Sequence, residues 1–287
     1  MIYLNGHYVE EVEAKISVLD RGFLFGDSVY EVIPIFGGYP FRLIEHLKRL
    51  EYSLAEIAID YRVDELQWRE IITELGRGYF DIDCALYIQI SRGAALERKH
   101  TFPETVEPTV MAMVKPSQFE TSQQYNGISA ISCEDLRWLR CDIKSTSMLG
   151  NVLMSEQASI AGADEAILIR DGYVTEGASC NVFVVIDGTI YTAAKGPHIL
   201  GGVTRELVIE LARDNGLKLE EQGVSIYQLR IADEVWVSSS NREVLAVVEI
   251  DGKAVADGNP GPLCKIMQGH YRAYKASFIE EMGGYCE

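Results

Sequence analysis

Two residues in this sequence combine a reactive type with surroundings suited to covalent chemistry. Lys144 stands within Arg137-Trp138-Leu139-Arg140-Cys141-Asp142-Ile143-Lys144-Ser145-Thr146-Ser147-Met148, between apolar flanks. A lysine held out of water has its amine titration lowered, because desolvation penalises the ammonium, and the neutral amine can attack a carbonyl to form a Schiff base. Read alone, the same residue is a solvated lysine at a strand end, the usual fate of lysines. Downstream, Gly172-Tyr173-Val174-Thr175-Glu176-Gly177-Ala178-Ser179-Cys180-Asn181-Val182-Phe183 sets a lone glutamate, Glu176, ahead of a small-residue turn and a β-type run. A charged residue is badly sited there if the strand is its only purpose.

Three further stretches offer contacts for an anion. Arg49 lies beside the apolar stripe Leu47, Leu50, Leu54 and Ile57 of a helix expected over Leu43 to Ala58; it either snorkels to water or reaches a phosphate with its fork of donors. Leu200-Gly201-Gly202-Val203-Thr204-Arg205 is a glycine-rich turn into a second helix, whose first N–H groups and dipole suit an anion. The strand around Val235-Trp236-Val237 runs into Ser238-Ser239-Ser240-Asn241, and the Ser240 hydroxyl can donate to a phosphate. A fourth stretch, the loop from Gly93 to Pro108, holds the basic cluster Arg98-Lys99-His100. Long loops without regular structure in compact domains are often functional, although composition alone reads this one as solvated.

The elements that must position these residues read as mixed α/β. Ile2-Tyr3-Leu4, Asn5-Gly6 and Tyr8-Val9 predict an opening hairpin with a type I′ turn. Ser28 to Phe36 alternates as a strand, with Pro34 implying a bulge or an edge. A helix is expected from Asp64, with a capping box to Gln67 and an apolar face of Leu66, Ile71, Ile72 and Leu75. Strands follow at Ala85–Arg92 and Thr109–Val114. The polar segment 117–127 reads as a linker between a domain over 1–116 and a second over 128–287. In the second, a helix over Met148–Ala161, hairpins at Asp171-Gly172 and Asp187-Gly188, and a closing helix over Gly261–Phe278 are expected.

Bulk properties narrow the function. The chain has 287 residues and a net charge of -17, which repels nucleic-acid backbones and anionic membranes, so any anionic ligand needs a local basic site. Neither a signal peptide nor a membrane span is read, so a cytoplasmic location is expected. Six cysteines without a C-x-x-C pair read as reduced thiols, and the histidine spacing supports no metal centre.

Several of these motifs together resemble the class IV (fold-type IV) pyridoxal-phosphate aminotransferases. They are the Asp20-Arg21-Gly22-x-x-Phe25-Gly26-Asp27-x-x-Tyr30-Glu31-Val32 run, the His46-x-x-Arg49-Leu50 pattern, Lys144 and Glu176. The likeness runs nearly end to end, and the Arg98-x-His100 spacing brings it closest to the bacterial D-amino-acid (D-alanine) aminotransferases. The resemblance implies a two-domain homodimer, with a smaller N-terminal α/β domain and a larger C-terminal domain built on a β-barrel-like sheet. It also implies that Lys144 carries pyridoxal 5′-phosphate as a Schiff base and later acts as base, while Glu176 meets the pyridine nitrogen. Arg49, the N–H groups of Val203 and Thr204, and Ser240 are implied as phosphate contacts; relatives often carry threonine where this chain has Asn241. Tyr30, otherwise a cross-strand aromatic, is implied with Arg98 and His100 as the trap for the substrate carboxylate, the Arg98 loop reaching into the partner subunit's site. The implied reaction is transamination of the D-alanine plus 2-oxoglutarate type. A branched-chain L-amino-acid aminotransferase, an (R)-amine aminotransferase and aminodeoxychorismate lyase share the fold. A non-enzymatic protein holding an anion at the Thr204 helix is the alternative of a different class, and it predicts a colourless protein.

Overall fold

The computed structural model describes residues 1–79, 82–117 and 121–283. The chain packs as two compact units, Met1–Gln118 with Ile143–Met148, and Phe119–Asp142 with Leu149–Glu287. The sequence assigns Lys144 to the second domain, whereas Ile143–Met148 packs with the first unit.

The first unit is built on a six-stranded antiparallel sheet. Its strands are β1 (Ile2–Leu4), β2 (His7–Val9), β3 (Ser28–Phe36), β4 (Tyr39–Pro40), β5 (Cys84–Ser91) and β6 (Thr109–Pro116), in the order β2-β1-β6-β5-β3-β4. The β1–β2 turn is the expected hairpin, with Asn5 and Gly6 both at positive φ (48° and 88°). Helices α1 (Arg21–Phe25), α2 (Leu43–Glu56) and α3 (Glu65–Leu75) complete the unit. Leu47, Leu50 and Leu54 of α2 and Trp68, Ile71, Ile72 and Leu75 of α3 share one core with Val29, Ile33 and Ile35 of β3 and Leu86, Ile88 and Ile90 of β5. Leu66, expected on that face, is 73% exposed, because the stripe of α3 is centred on Trp68 instead. The expected capping box at Asp64 is half formed: Asp64 accepts from Gln67 N–H (3.1 Å), with no return bond from the Gln67 side chain.

Pro34 lies on an edge rather than at a bulge. Strands β3 and β5 pair in unbroken register from Ser28 to Ile35, and β4 covers only Ile35 and Phe36. Pro34 O accepts from Phe41 N–H on that outer side (2.8 Å), and a residue's nitrogen and carbonyl share a side, so the missing donor costs no ladder bond to β5. Further back along the same outer edge runs Ile143–Met148. Val29 bridges Ser145, Tyr30 N–H donates to Lys144 O (3.0 Å), and Thr146 N–H donates to Ser28 O (3.0 Å).

The second unit is a nine-stranded mixed sheet. After α4 (Thr121–Asn126), which lies within the stretch read as linker, come β7 (Ile128–Glu134), α5 (Leu149–Ile160), β8 (Glu165–Arg170), β9 (Tyr173–Gly177), β10 (Asn181–Ile186) and β11 (Thr189–Thr192). Then follow α6 (Val203–Asp214), β12 (Leu219–Glu220), α7 (Ile226–Arg230), β13 (Glu234–Ser239), β14 (Glu243–Ile250), β15 (Lys253–Ala254) and α8 (Pro262–Gly283). The order is β12-β11-β10-β13-β14-β7-β8-β9, with β15 on β14. The sheet curls as a half-barrel: β9 and β10 are distant in that order, yet a three-residue turn joins them, closed by Gly177 N–H to Cys180 O (2.7 Å). The Asp171-Gly172 and Asp187-Gly188 turns adopt the positive φ values their hairpins require. A complete capping box stands at Ser225 and Gln228, which the sequence reading passed over. Residues 118–120 of the expected linker and Cys286 lie outside the described residues; the other five cysteines are free. No helix among the described residues is long and apolar enough to cross a membrane.

Candidate active site

The period-two alternation of β3 sends neighbouring residues to opposite faces of the sheet. Tyr30 is half-buried on one face, stacked on Tyr87 of β5 with centroids 5.8 Å apart. Tyr87 donates to Gln89 Oε1 (2.8 Å), and burial, with Tyr30 nearby, pushes its phenol up to about 12. The Lys144 Nζ lies 4.1 Å from the Tyr30 ring centroid, and Lys144 N–H donates to Ser53 Oγ (3.1 Å). The backbone bond between Tyr30 and Lys144 fixes this pairing, so the candidate amine and the candidate tyrosine stand side by side within one unit.

On the opposite face Glu31 is fully buried among Val29, Ile33 and Ile35. It accepts from Arg49 Nε (2.7 Å) and Nη2 (2.8 Å) and pairs with His46 Nδ1 (2.7 Å). Burial opposes its charge, but the Arg49 and His46 contacts prevail and hold the carboxyl at about 2. Burial lowers the His46 imidazole; beside an ionised carboxylate, the neutral ring must then carry its proton on Nδ1. Arg49 is thus oriented by a buried carboxylate, which the sequence reading did not foresee. The missed signal is a glutamate at an inward register position of a buried strand, facing His46 and Arg49 one helical turn apart.

Arg98 and His100 are both exposed and come together on Phe25. The Arg98 Cζ lies 4.9 Å from the Phe25 ring centroid, and the His100 and Phe25 rings are 5.4 Å apart at 50°.

In the second unit Glu176, on β9, is 4% exposed. It forms a close ion pair with Arg137, accepts from Asn181 Nδ2 (3.0 Å) and receives Leu200 N–H on both oxygens (3.1 Å each). Arg137 is shared with Asp135, through Nε to Oδ1 and Nη2 to Oδ2 (2.9 Å each), and Arg170 reaches Asp135 as well (3.0 Å). Burial raises the Glu176 carboxyl to about 7, against the pull of Arg137 and Leu200 N–H. Burial also works against the Arg137 cation, but Asp135 and Glu176 together hold its titration above the ordinary range. The result is a permanent cation beside a carboxyl poised near neutrality, able to hold or share a proton. Arg137, Asp135 and Asn181 are partners the sequence reading missed.

Asn181 also donates to Leu200 O (2.9 Å), which ties Glu176 to the chain entering α6. That helix starts at Gly202, which offers no side-chain cap, so its first N–H groups are available to a ligand. A Cβ at Gly202 would overlap the Asn181 side-chain oxygen. Val203 and Thr204 form the first turn. Ser240 is half-buried on the turn between β13 and β14, where Ser239 Oγ accepts from Arg242 N–H (3.2 Å). Ser238, paired with Asn181 across the strands, is buried with its hydroxyl unpartnered among the described residues.

Residues 28–250 match the family model for amino-transferase class IV. The chain belongs to the class IV aminotransferases. It is therefore an enzyme of amino-group transfer. It is 45% identical to a D-alanine aminotransferase of Bacillus licheniformis, over 93% of this chain and 94% of the relative. It is 41% identical to one of Staphylococcus haemolyticus, over 95% and 97%. Among solved structures, the T.th. branched-chain amino acid aminotransferase with pyridoxamine 5′-phosphate matches with a TM-score of 0.87 at 29% identity, over 96% of this chain and 93% of that one.

Proposed function

We propose that this enzyme transfers the amino group of a D-amino acid to a 2-oxo acid, converting D-alanine and 2-oxoglutarate to pyruvate and D-glutamate. Its cofactor is pyridoxal 5′-phosphate, and it acts on small molecules as a cytoplasmic homodimer. The observation that carries this reading is the 40–45% identity to D-alanine aminotransferases over nearly the whole chain.

The side chains present fit the cofactor. Lys144 is the amine that would hold it. Glu176, a buried carboxyl at about 7, suits a ring nitrogen that must stay protonated. Arg49 aimed by Glu31, the N–H groups at Val203 and Thr204, and Ser240 would hold the phosphate. When bound, the cofactor supplies a carbonyl that takes up amino groups and a ring that accepts the electron pair left by the α-proton. The Lys144 amine takes the proton from the α-carbon of the amino acid that gives up its amino group, and supplies one to the α-carbon of the amino acid formed from the 2-oxo acid. Tyr30, Arg98 and His100 donate to the α-carboxylate, the arginine through a fork and the other two singly. Because Lys144 works from one side of the α-carbon, the side on which those donors lie selects the hand of the substrate.

Parallel assays with D-alanine, L-alanine and L-leucine test the reading. Pyruvate from D-alanine alone supports it; faster turnover of L-leucine would replace it with branched-chain specificity.

A further inference from the structure

Arg98 and His100 sit on a loop, and a loop presents donors in fixed geometry only where other groups pin it. Here the pinning is extensive. At the neck, Asp20 Oδ2 accepts from Ser91 Oγ at the end of β5 (3.0 Å) and from Thr109 Oγ1 at the start of β6 (2.6 Å). Gly93, at φ +99°, meets Glu107 O so closely that no Cβ fits. At the crest, the buried Arg21 donates from Nη1 to Lys99 O (2.6 Å) and Thr101 O (3.4 Å), and from Nη2 to His100 O (3.2 Å). Asp27 orients Arg21 through Nε (2.7 Å) and also holds Arg92 (2.8 and 3.0 Å). Arg92 in turn lies 3.6 Å over the Phe102 ring.

These bonds fix the backbone of the crest and leave the side chains of Arg98 and His100 to be placed by what they touch. Both lie against Phe25, the last residue of α1, whose ring also has the Arg21 Cζ 4.9 Å from its centroid. Contact through the face of a ring restrains a guanidinium without using any of its N–H groups, so the whole fork remains available to a carboxylate.

We propose that Phe25 is a positioning residue for substrate recognition, a platform that holds Arg98 and His100 ready for the carboxylates of the amino acid and the 2-oxo acid. The proposal rests on the reading of Arg98 and His100 as carboxylate donors. Phe25 itself makes no contact with the reacting atoms; it acts by limiting the conformations of a long, exposed arginine, whose immobilisation otherwise weighs against binding.

The test compares Phe25→Leu, Phe25→Tyr, Arg98→Ala and the Phe25→Leu/Arg98→Ala double variant as holoenzymes. KM for D-alanine and 2-oxoglutarate, kcat, visible absorbance of the cofactor and melting temperature are measured for each. Phe25→Leu should raise both KM values about two- to fivefold, the loss of a ring–cation contact at an exposed arginine, with kcat and absorbance unchanged within error. Phe25→Tyr, which keeps the ring, should restore the wild-type KM. In the Arg98→Ala background, Phe25→Leu should raise KM little further. An unchanged KM in Phe25→Leu beside a raised one in Arg98→Ala overturns the proposal alone. Additive KM effects, or a fall in kcat and absorbance, would also overturn it by showing a merely structural role. An unchanged KM in Arg98→Ala overturns the carboxylate reading itself, and the proposal with it. Should Phe25→Leu not fold, Phe25→Met carries the same comparison.

Discussion

Replacing Glu31 by glutamine removes a charge from the interior with little change in volume, and the cost can be worked out from its surroundings. The carboxyl titrates ordinarily at 4.5 and is held at about 2 in the folded chain, where Arg49 and His46 outweigh the burial that opposes its charge. A carboxyl lowered this far on folding contributes about 3 kcal/mol at neutral pH. Its folded titration lies below the unfolded one, so the contribution is whole above 4.5 and is lost as pH falls toward about 2. Seen from Arg49, the same substitution breaks a buried pair from one side, which costs about 3–5 kcal/mol, in line with that figure. Urea unfolding of wild type and Glu31→Gln, followed by tryptophan fluorescence from neutral pH to about pH 3, measures the gap. A gap of about 3 kcal/mol at neutral pH that narrows below pH 4.5 is expected. A gap under about 1 kcal/mol, or one that does not change with pH, would show that the buried Glu31 charge does not stabilise the fold.

Arg49→Ala should weaken cofactor retention on dialysis by roughly ten- to a hundredfold, the loss of one or two charge-assisted bonds, with less change in the chemistry of the remaining holoenzyme. Glu176→Gln should slow exchange of the substrate α-proton at least about tenfold while cofactor binding falls only modestly, since the near-neutral carboxyl is lost and its shape is kept; an unchanged exchange rate contradicts that role. Gly202→Ala drives a Cβ into the Asn181 side-chain oxygen, so it should cost about 1–3 kcal/mol of stability and loosen the cofactor together; equilibrium unfolding and dialysis read the two effects.

Much of this arrangement was legible in the chain. Strand alternation marked Ser28 to Phe36, and Asn-Gly and Asp-Gly pairs marked three hairpins, because positive φ is cheap at those residues. Lys144, Glu176 and the glycine-rich turn before Val203 stood out by type and setting. What escaped was the set of partners. Arg137, held by Asp135, and Asn181 meet Glu176 only after β7, β9 and β10 are placed, and Glu31 reaches Arg49 through the packing of α2 on β3. Asp20 and Arg21 pin the loop of Arg98 across some 70–90 positions of sequence, a distance at which spacing carries no signal. Leu66 misled for a related reason: helical period names a stripe, but the sheet beneath decides where its centre falls.

Borohydride reduction of the purified holoenzyme, followed by digestion and mass spectrometry, is the most direct test of the Lys144 assignment, because it fixes a lysine-bound pyridoxal group to the residue that held it. A single pyridoxyl-bearing peptide, modified at Lys144, is expected. Label on Lys115 or Lys195, or no label at all, would contradict it.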